Sequence, residues 1–196
     1  ATAGDGPRLA HPGLLAQPSR HNELSRNPMT DFSALTATLP TALRPTVLSA
    51  LEAFDAQSGQ RAWAVLPPAI QATAPAVWAA SPFIAGHCAR RPELLWALAD
   101  SGRLLRPNGE DEYPALLAAL LPPDPTESEL MAALRRFRNQ EMVRIAWRDR
   151  AGWATLDETL ADLSKLAEGC VEAALAILFR QACAARATPV NQQGAP

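Results

Sequence analysis

Along most of the chain, apolar residues recur every three or four positions, which is the periodicity of an amphipathic helix. After Pro45, the apolar positions Val47, Leu51 and Phe54 follow this spacing. The proline itself suits the first turn of a helix, because the amide hydrogen that it lacks would have no partner there. No run of alternating β-branched residues predicts a strand. The pattern therefore predicts an all-α fold built as a multi-helix array.

Proline, serine and glycine punctuate the middle of the chain. Ser81 is a typical helix N-cap, Pro92 suits the start of the next helix, and Gly102 is typical of the position after a helix ends. Further short helices are predicted over residues 58–73, interrupted or ended by a proline pair, and over Tyr113–Leu121. The middle of the chain is thus predicted to be a set of short helices.

Two capping boxes predict a pair of long antiparallel helices at the end of the array. Thr126 with Glu129, and Thr155 with Glu158, have the spacing at which a hydroxyl and a carboxylate satisfy each other's backbone amides. The first helix is expected to run to about residue 150 and the second to about residue 186.

The second long helix carries an apolar seam with alternating spacings of four and three residues. Its members are Leu156, Leu160, Leu163, Ala167, Cys170, Ala174, Ile177 and Gln181. Such a seam is typical of helices that pack side by side. It predicts packing against the preceding helix of the same chain. The alternative is a dimer seam, which would make the protein a self-contained, all-helical interaction module.

The two ends of the chain differ from the middle. Residues 1–28 are rich in proline, glycine and polar residues without periodicity, which predicts a disordered tail. Met29 opens the first organised stretch, so we expect that the native protein starts there. The predicted organisation is a tail over 1–28, a helical region over 29–188 and a loop over 189–196.

The charge balance argues against a nucleic-acid-binding protein, because such binding requires an excess of basic residues. The formal net charge is −2, and Lys165 is the single lysine among 18 basic residues. Residues 110–130 carry six acidic and no basic side chains, whereas residues 134–150 carry six arginines and two carboxylates. Neighbouring blocks of opposite charge indicate helix faces that pair with each other.

The cysteines and the hydropathy pattern predict a cytoplasmic protein. Cys88, Cys170 and Cys183 are odd in number and have no CxxC spacing, which suits a reducing compartment. No stretch approaches the roughly 20 apolar residues of a membrane span, and the chain does not begin with a signal peptide.

Motifs for catalysis or cofactor binding are absent from the sequence. It has no Walker loop, no GxGxxG, no HExxH and no GxSxG. His87 and Cys88 are adjacent and would point about 100° apart on a helix, which disfavours a nucleophile–base pair. Glu110, Asp111 and Glu112 are better explained as an acidic first helical turn than as metal ligands. We therefore assign no catalytic, cofactor-binding or metal-binding residue.

The segment LRRFRNQEMVRIAWRDR, residues 134–150, mixes six arginines with apolar residues. In a helical projection, one apolar sector contains Leu130, Met131, Leu134, Phe137, Met142 and Ile145. Arg135, Arg136 and Arg150 point away from it, to the polar side. The four charged residues that fall in or beside the apolar sector are Arg138, Glu141, Arg144 and Arg148. Because an unpaired buried arginine is costly, these residues are predicted to form a partly buried charge cluster that fixes how the helix docks. The alternative is an arginine set that binds a phosphate or an acidic partner.

Two segments resemble a known family. SPFIAGHCARRPELLWAL (81–98) and LRRFRNQEMVRIAWRDRAGWATLDETLADLSKLAEGCVEAAL (134–175) are similar to the N-terminal helical region of bacterial glutamine synthetase adenylyltransferase. The similarity extends over about residues 30–190. The resemblance implies a bifunctional enzyme that adenylylates a tyrosine of glutamine synthetase with ATP and removes the adenylyl group by phosphorolysis. It further implies Mg²⁺ as cofactor and regulation by the PII signal protein and glutamine.

In that family, the glycine-rich segment and the Asp-x-Asp metal ligands follow the region that this chain covers. None of those residues is present in the sequence, which ends TPVNQQGAP. The resemblance therefore implies an N-terminal helical fragment of the adenylyl-removing domain, which we expect to be inactive by itself.

Overall fold

The computed structural model describes Ala1 and residues 30–109 and 111–186. The predicted tail over 1–28 and the predicted loop over 189–196 lie outside the described helical region. Within 30–109 and 111–186 the chain forms eight α-helices and no strand, so the predicted all-α fold is confirmed. The helices are α1 (Ser33–Thr36), α2 (Arg44–Gln57), α3 (Pro68–Ala80), α4 (Pro82–Arg90), α5 (Pro92–Asp100), α6 (Glu112–Leu120), α7 (Glu127–Arg150) and α8 (Leu156–Arg186).

Several helix boundaries follow the predicted capping signals. The Ser81 hydroxyl accepts a hydrogen bond from the amide of Ile84 at the start of α4. Gly102 follows α5 with a φ of 67°, a left-handed conformation that glycine adopts without a steric penalty. Thr126 and Glu129 form the complete capping box at the start of α7.

The prediction of a helix over residues 58–73 was wrong. Residues 63–65 form a single 3-10 turn, and α3 begins at Pro68 and continues through Pro75. The reason is steric, because a proline disfavours the helical conformation in the residue before it. Leu66 and Pro67 are accordingly extended, with ψ angles of 146° and 136°. The proline pair therefore opens a helix and does not end one.

An aromatic cluster forms the core of the first five helices. Phe54 of α2 lies 5.8 Å from Trp63, 5.9 Å from Trp78 and 5.8 Å from Trp96, measured between ring centroids. Trp147 of α7 joins this cluster at 6.4 Å from Trp78. These edge-on and tilted contacts are typical of buried aromatic cores. They attach α7 to the first half of the fold.

A second, smaller apolar cluster lies between α6, α7 and α8. Its buried members are Tyr113, Leu117, Phe137, Ile145 and Leu166. Since α7 contributes side chains to both clusters, it is the element that joins the two halves of the described region.

Helices α7 and α8 are antiparallel, as predicted, and turn at Gly152, which has a φ of 70°. The seam prediction was correct only for the second half of α8. Leu156, Leu160, Leu163 and Ala167 are exposed, whereas Cys170, Ala174, Ile177 and Gln181 are half-buried or buried. The face that packs against α6 and α7 instead contains Asp162, Leu166, Gly169, Ala173 and Ile177. None of the helices in the described ranges is both long and apolar enough to cross a membrane.

Candidate functional site: a buried arginine–carboxylate network

Three charged residues of α7 lie in one buried row. Glu141, Arg144 and Arg148 are separated by three and four residues, which places them on one face of the helix. Glu141 and Arg144 are 0% exposed and Arg148 is 2% exposed. Val143 and Trp147 of the first cluster lie on one side of this row, so the charges sit where α7 meets both halves of the fold.

Glu141 is shared by two arginines. Its Oε2 atom accepts a hydrogen bond of 2.8 Å from Nη2 of Arg103 and one of 3.0 Å from Nε of Arg144. The side-chain amide of Asn108 lies against both Arg103 and Glu141. Arg103 belongs to a 3-10 turn after α5 and is 4% exposed. Glu141 thereby fixes this turn against α7.

Arg144 connects three helices. Its Nη2 donates to the hydroxyl of Tyr113 on α6 at 2.8 Å and to the carboxylate of Asp162 on α8. Burial alone would lower the pKa of Arg144, but Tyr113, Asp162 and Glu141 together raise it. Burial also raises the pKa of Tyr113. Arg144 is therefore a charged guanidinium and Tyr113 a neutral hydroxyl over the whole working pH range.

Arg148 holds the turn between α7 and α8. Its Nε and Nη2 donate to Oε1 of Glu158 at 3.0 and 2.8 Å. Nη1 donates to the carbonyl oxygen of Leu104 at 3.1 Å, and Nη2 to that of Trp153 at 3.2 Å. Every nitrogen of this guanidinium has a partner, as a buried arginine requires.

Glu112 lies at the end of the network that is nearest to solvent. Its carboxylate accepts from Arg106 at 2.7 and 2.8 Å, from Arg103 at 3.1 Å and from the amide of Gly109 at 2.9 Å. The hydrogen bonds from Arg106 are the largest cause of a pKa near 2 for Glu112. Glu112 is indeed in the first turn of α6, and its carboxylate is committed to the two arginines.

The structure brings three of the four predicted cluster residues together and separates the fourth. Arg138 is exposed and forms no ion pair among the described residues. The predicted apolar sector omitted Val143 and Trp147, which are buried, and included Met131, which is 52% exposed. The true buried face is therefore rotated away from Arg138, and its assignment to the cluster is corrected. Arg135, Arg136 and Arg150 are exposed, as expected.

Six members of the network were not predicted. They are Arg103, Arg106, Glu112, Tyr113, Glu158 and Asp162. The acidic and basic blocks of the sequence indicated that helix faces pair, but they did not identify which residues pair with each other. Glu158 was predicted as half of a capping box, but only the Thr155 half forms, with the amide of Glu158 donating to the Thr155 hydroxyl at 3.1 Å. The Glu158 side chain turns to Arg148 instead.

The other candidate residues do not form a reactive site. The Cys88 side chain is fully buried, and burial raises its pKa, so the thiol is neutral. Burial, followed by Arg90 and Arg91, lowers the pKa of His87, whose ring lies 4.4 Å from that of Phe83. No three His, Cys, Asp or Glu side chains come together as metal ligands within the part of the chain that the structure describes. These residues therefore do not fit a Mg²⁺–nucleotide site, and no chemical step is assigned to them.

The network is balanced in charge, and among its buried side-chain atoms only Oε1 of Glu141 and Nη1 of Arg144 have no hydrogen-bond partner within the described residues. Its four arginines face four carboxylates, and its two arginines from α7, Arg144 and Arg148, are not open to solvent. A phosphate or an acidic partner could therefore reach Arg144 or Arg148 only if α6 and α8 moved apart. The geometry favours a role in positioning the helices over a role in ligand binding.

Comparison with known proteins identifies a family for this array. A family profile described as "Glutamate-ammonia ligase adenylyltransferase" matches residues 72–196. The relatives include three proteins named bifunctional glutamine synthetase adenylyltransferase/adenylyl-removing enzyme. That of Nitrosococcus oceani is 51% identical over 113 residues, covering 58% of this chain and 12% of the relative. That of Thioalkalivibrio sulfidiphilus is 39% identical over 160 residues, covering 81% of this chain and 16% of the relative. That of Pseudomonas syringae pv. tomato is 34% identical over 166 residues, covering 84% of this chain and 16% of the relative.

No solved structure matches the chain. The chain spans between 12% and 16% of the length of these three relatives. The matched residues include the end of α3 and all of α4 to α8, and so every α7 and α8 residue of the buried network. The resemblance inferred from the sequence is confirmed, and the chain belongs to the glutamate-ammonia ligase adenylyltransferase family.

Proposed function

We propose that this chain forms a helical, non-catalytic part of an enzyme that adenylylates and deadenylylates glutamine synthetase. The observation that carries the proposal is the length of the matches. The relatives named for these two activities align with 81% and 84% of the chain at 39% and 34% identity. Nitrogen-dependent control of glutamine synthetase is the process to which the chain would contribute.

In this proposal the chemistry takes place outside the described residues. The family's first reaction transfers an adenylyl group from ATP to a tyrosine of glutamine synthetase. In the second reaction, phosphate displaces the tyrosine oxygen from the adenylyl group, which regenerates the tyrosine and releases ADP. Both steps need Mg²⁺ to neutralise charge that develops on the α-phosphate. The described residues do not fit such a metal site. Their proposed role is to provide a rigid scaffold, and we expect the isolated chain to have neither activity.

The same proposal names the partners and the compartment. Glutamine synthetase would be the protein substrate, and the PII signal protein would be a regulator of the complete enzyme. Both belong to the cytoplasm of a bacterium, which is where we place this chain. We expect no nucleic-acid partner, because the net charge is −2 and the buried arginines Arg103, Arg144 and Arg148 are neutralised by carboxylates of the same chain.

A chimeric enzyme tests the proposal. The segment of the Nitrosococcus oceani enzyme that matches this chain would be replaced by the corresponding residues of this chain, since the two are 51% identical. We expect the chimera to adenylylate and deadenylylate glutamine synthetase, while a matched enzyme that lacks the segment loses at least one activity. A chimera that folds, as judged by circular dichroism, and has neither activity would contradict the proposal.

A further inference from the structure

Helix α8 has a second apolar face, which the described residues leave uncovered. Its large side chains are 36–69% exposed, from Leu163 at the low end to Leu156 at the high end. They are Leu156, Leu160, Leu163, Val171, Leu175, Leu178 and Phe179. We refer to these seven residues as the apolar stripe.

The apolar stripe consists of two groups on one side of α8, from Leu156 to Leu163 and from Val171 to Phe179. At about 100° per residue, most of its members fall within a sector of about 120°, centred well away from the sector of Asp162 and Leu166. The spacing of Leu156, Leu160 and Leu163 recurs about 15 residues later in Val171, Leu175 and Leu178, which is close to four helical turns, so the stripe extends along one side of α8 over about 35 Å. Exposed large apolar side chains that group along one side of a helix in this way mark a contact surface.

One border of the apolar stripe is acidic. Asp157, Glu168 and Glu172 follow it on the side away from α7, and none of them forms an ion pair with a described residue. A surface that covers the stripe would bring its own side chains beside these carboxylates. Its complement is therefore an apolar face with arginine or lysine along one border.

A second copy of α8 is a poor complement. In an antiparallel pair of identical helices, the same borders face each other, so Glu168 and Glu172 would approach their own copies. Carboxylates placed in this way repel each other and disfavour the pairing. The relatives offer a different occupant, because the matched regions make up only 12–16% of their length.

We propose that the apolar stripe of α8 is the surface on which this helical region docks against the rest of the enzyme. The occupant is an apolar face, bordered by basic residues, of the polypeptide that the longer relatives carry outside the matched region. This inference rests on the proposed function, since it requires that the chain works as part of such an enzyme. The stripe and the buried network then have complementary roles, because the network orients α8 and α8 presents the stripe.

Cysteine labelling tests the docking directly. Val171→Cys places a thiol on the apolar stripe, and Ala176→Cys places a matched thiol on an exposed position of α8 off the stripe. Both variants would be made with Cys170 and Cys183 replaced by alanine, while the fully buried Cys88 stays. Maleimide labelling rates would be compared in the isolated chain and in the full-length chimera.

We expect the thiol of Val171→Cys to react rapidly in the isolated chain and about tenfold more slowly, or slower still, in the chimera. The thiol of Ala176→Cys should react at similar rates in both. Equal rates for Val171→Cys in the two proteins would overturn the docking proposal. So would protection already present in the isolated chain together with a concentration-dependent dimer in sedimentation, because the occupant would then be a second copy.

The two proposals fail separately. An active chimera in which Val171→Cys stays reactive would refute the docking surface and leave the proposed function standing. A folded chimera without either activity, in which Val171→Cys is protected, would refute the proposed function while supporting the contact. Leu175→Glu gives an independent measurement, since a charge on the stripe should lower the thermal stability of the chimera and leave that of the isolated chain unchanged.

Discussion

Glu141 is shared by two buried arginines. Its Oε2 atom bonds both Arg103 and Arg144, and the carboxylate is 0% exposed. Replacing Glu141 by glutamine keeps the shape of the side chain and removes the negative charge. Because Arg103 and Arg144 retain Glu112 and Asp162, we expect the free energy of unfolding to fall by about 2–3 kcal/mol and not by the full cost of an isolated buried ion.

The matched control is Arg135→Gln, which changes one charge on an exposed position of the same helix. Its effect should stay within about 0.5 kcal/mol. Urea unfolding of the two variants and the wild type provides the comparison. Equal and small effects would show that the network does not hold α7 in place.

Glu112 should make stability depend on acid pH. Its pKa in the folded protein is about 2, below its ordinary value of 4.5, chiefly through Arg106. A depressed pKa contributes stability that is fully present above about pH 4.5 and is lost as the pH falls towards 2. Urea unfolding between pH 5.5 and 2 should show the wild type losing about 2 kcal/mol more than Glu112→Gln. A constant difference between the two proteins over this pH range would exclude the effect.

At the scale of elements, the same capping motif forms different contacts at the start of α7 and at the start of α8. The Glu129 carboxylate accepts a hydrogen bond of 2.8 Å from the backbone amide of Thr126, the N-cap residue of α7. Glu158, at the equivalent position of α8, bonds the buried Arg148 instead. Glu129→Ala should therefore cost about 1 kcal/mol, the usual value of a cap, whereas Glu158→Ala should cost about 3 kcal/mol because it leaves a buried arginine without a carboxylate. Equal values from thermal or urea unfolding would mean that both glutamates act only as caps.

Helix starts could be predicted from sequence because their signals are local. Ser81 and Thr126 cap helices through bonds to amides three residues away, so the fold class and most boundaries follow from short stretches of chain. The site was predictable only in part. That Glu141, Arg144 and Arg148 share a face of α7 follows from helical geometry, whereas Arg103 and Asp162 reach them from 38 and 18 residues away in sequence. These pairings depend on how the helices and the 3-10 turn pack against α7, which the sequence of one helix does not contain. The exposure of Arg138 and of Leu160 depends on the same packing.

At the scale of the whole molecule, α7 and the network join two cores that differ in composition. Trp63, Trp78, Trp96 and Trp147 lie in the first cluster and Trp153 packs against it, while the single tyrosine, Tyr113, lies in the second. Tryptophan fluorescence therefore reports on the first cluster. Far-UV circular dichroism reports on all helices, including the long α8 that belongs to the second.

This separation of probes allows the coupling between the two halves to be measured. Because Val143 and Trp147 anchor α7 in the first cluster while Arg144 ties it to α6 and α8, we expect both probes to give coincident urea transitions in the wild type. In Arg144→Met the apolar contacts remain and the bonds to Tyr113, Glu141 and Asp162 are lost. The dichroism transition should then begin at lower urea than the fluorescence transition, since α6 and α8 lose their charged link to α7 while the aromatic cluster keeps its contacts. Transitions that move together in this variant would show that apolar packing alone couples the halves, and that the buried network contributes stability without linking them.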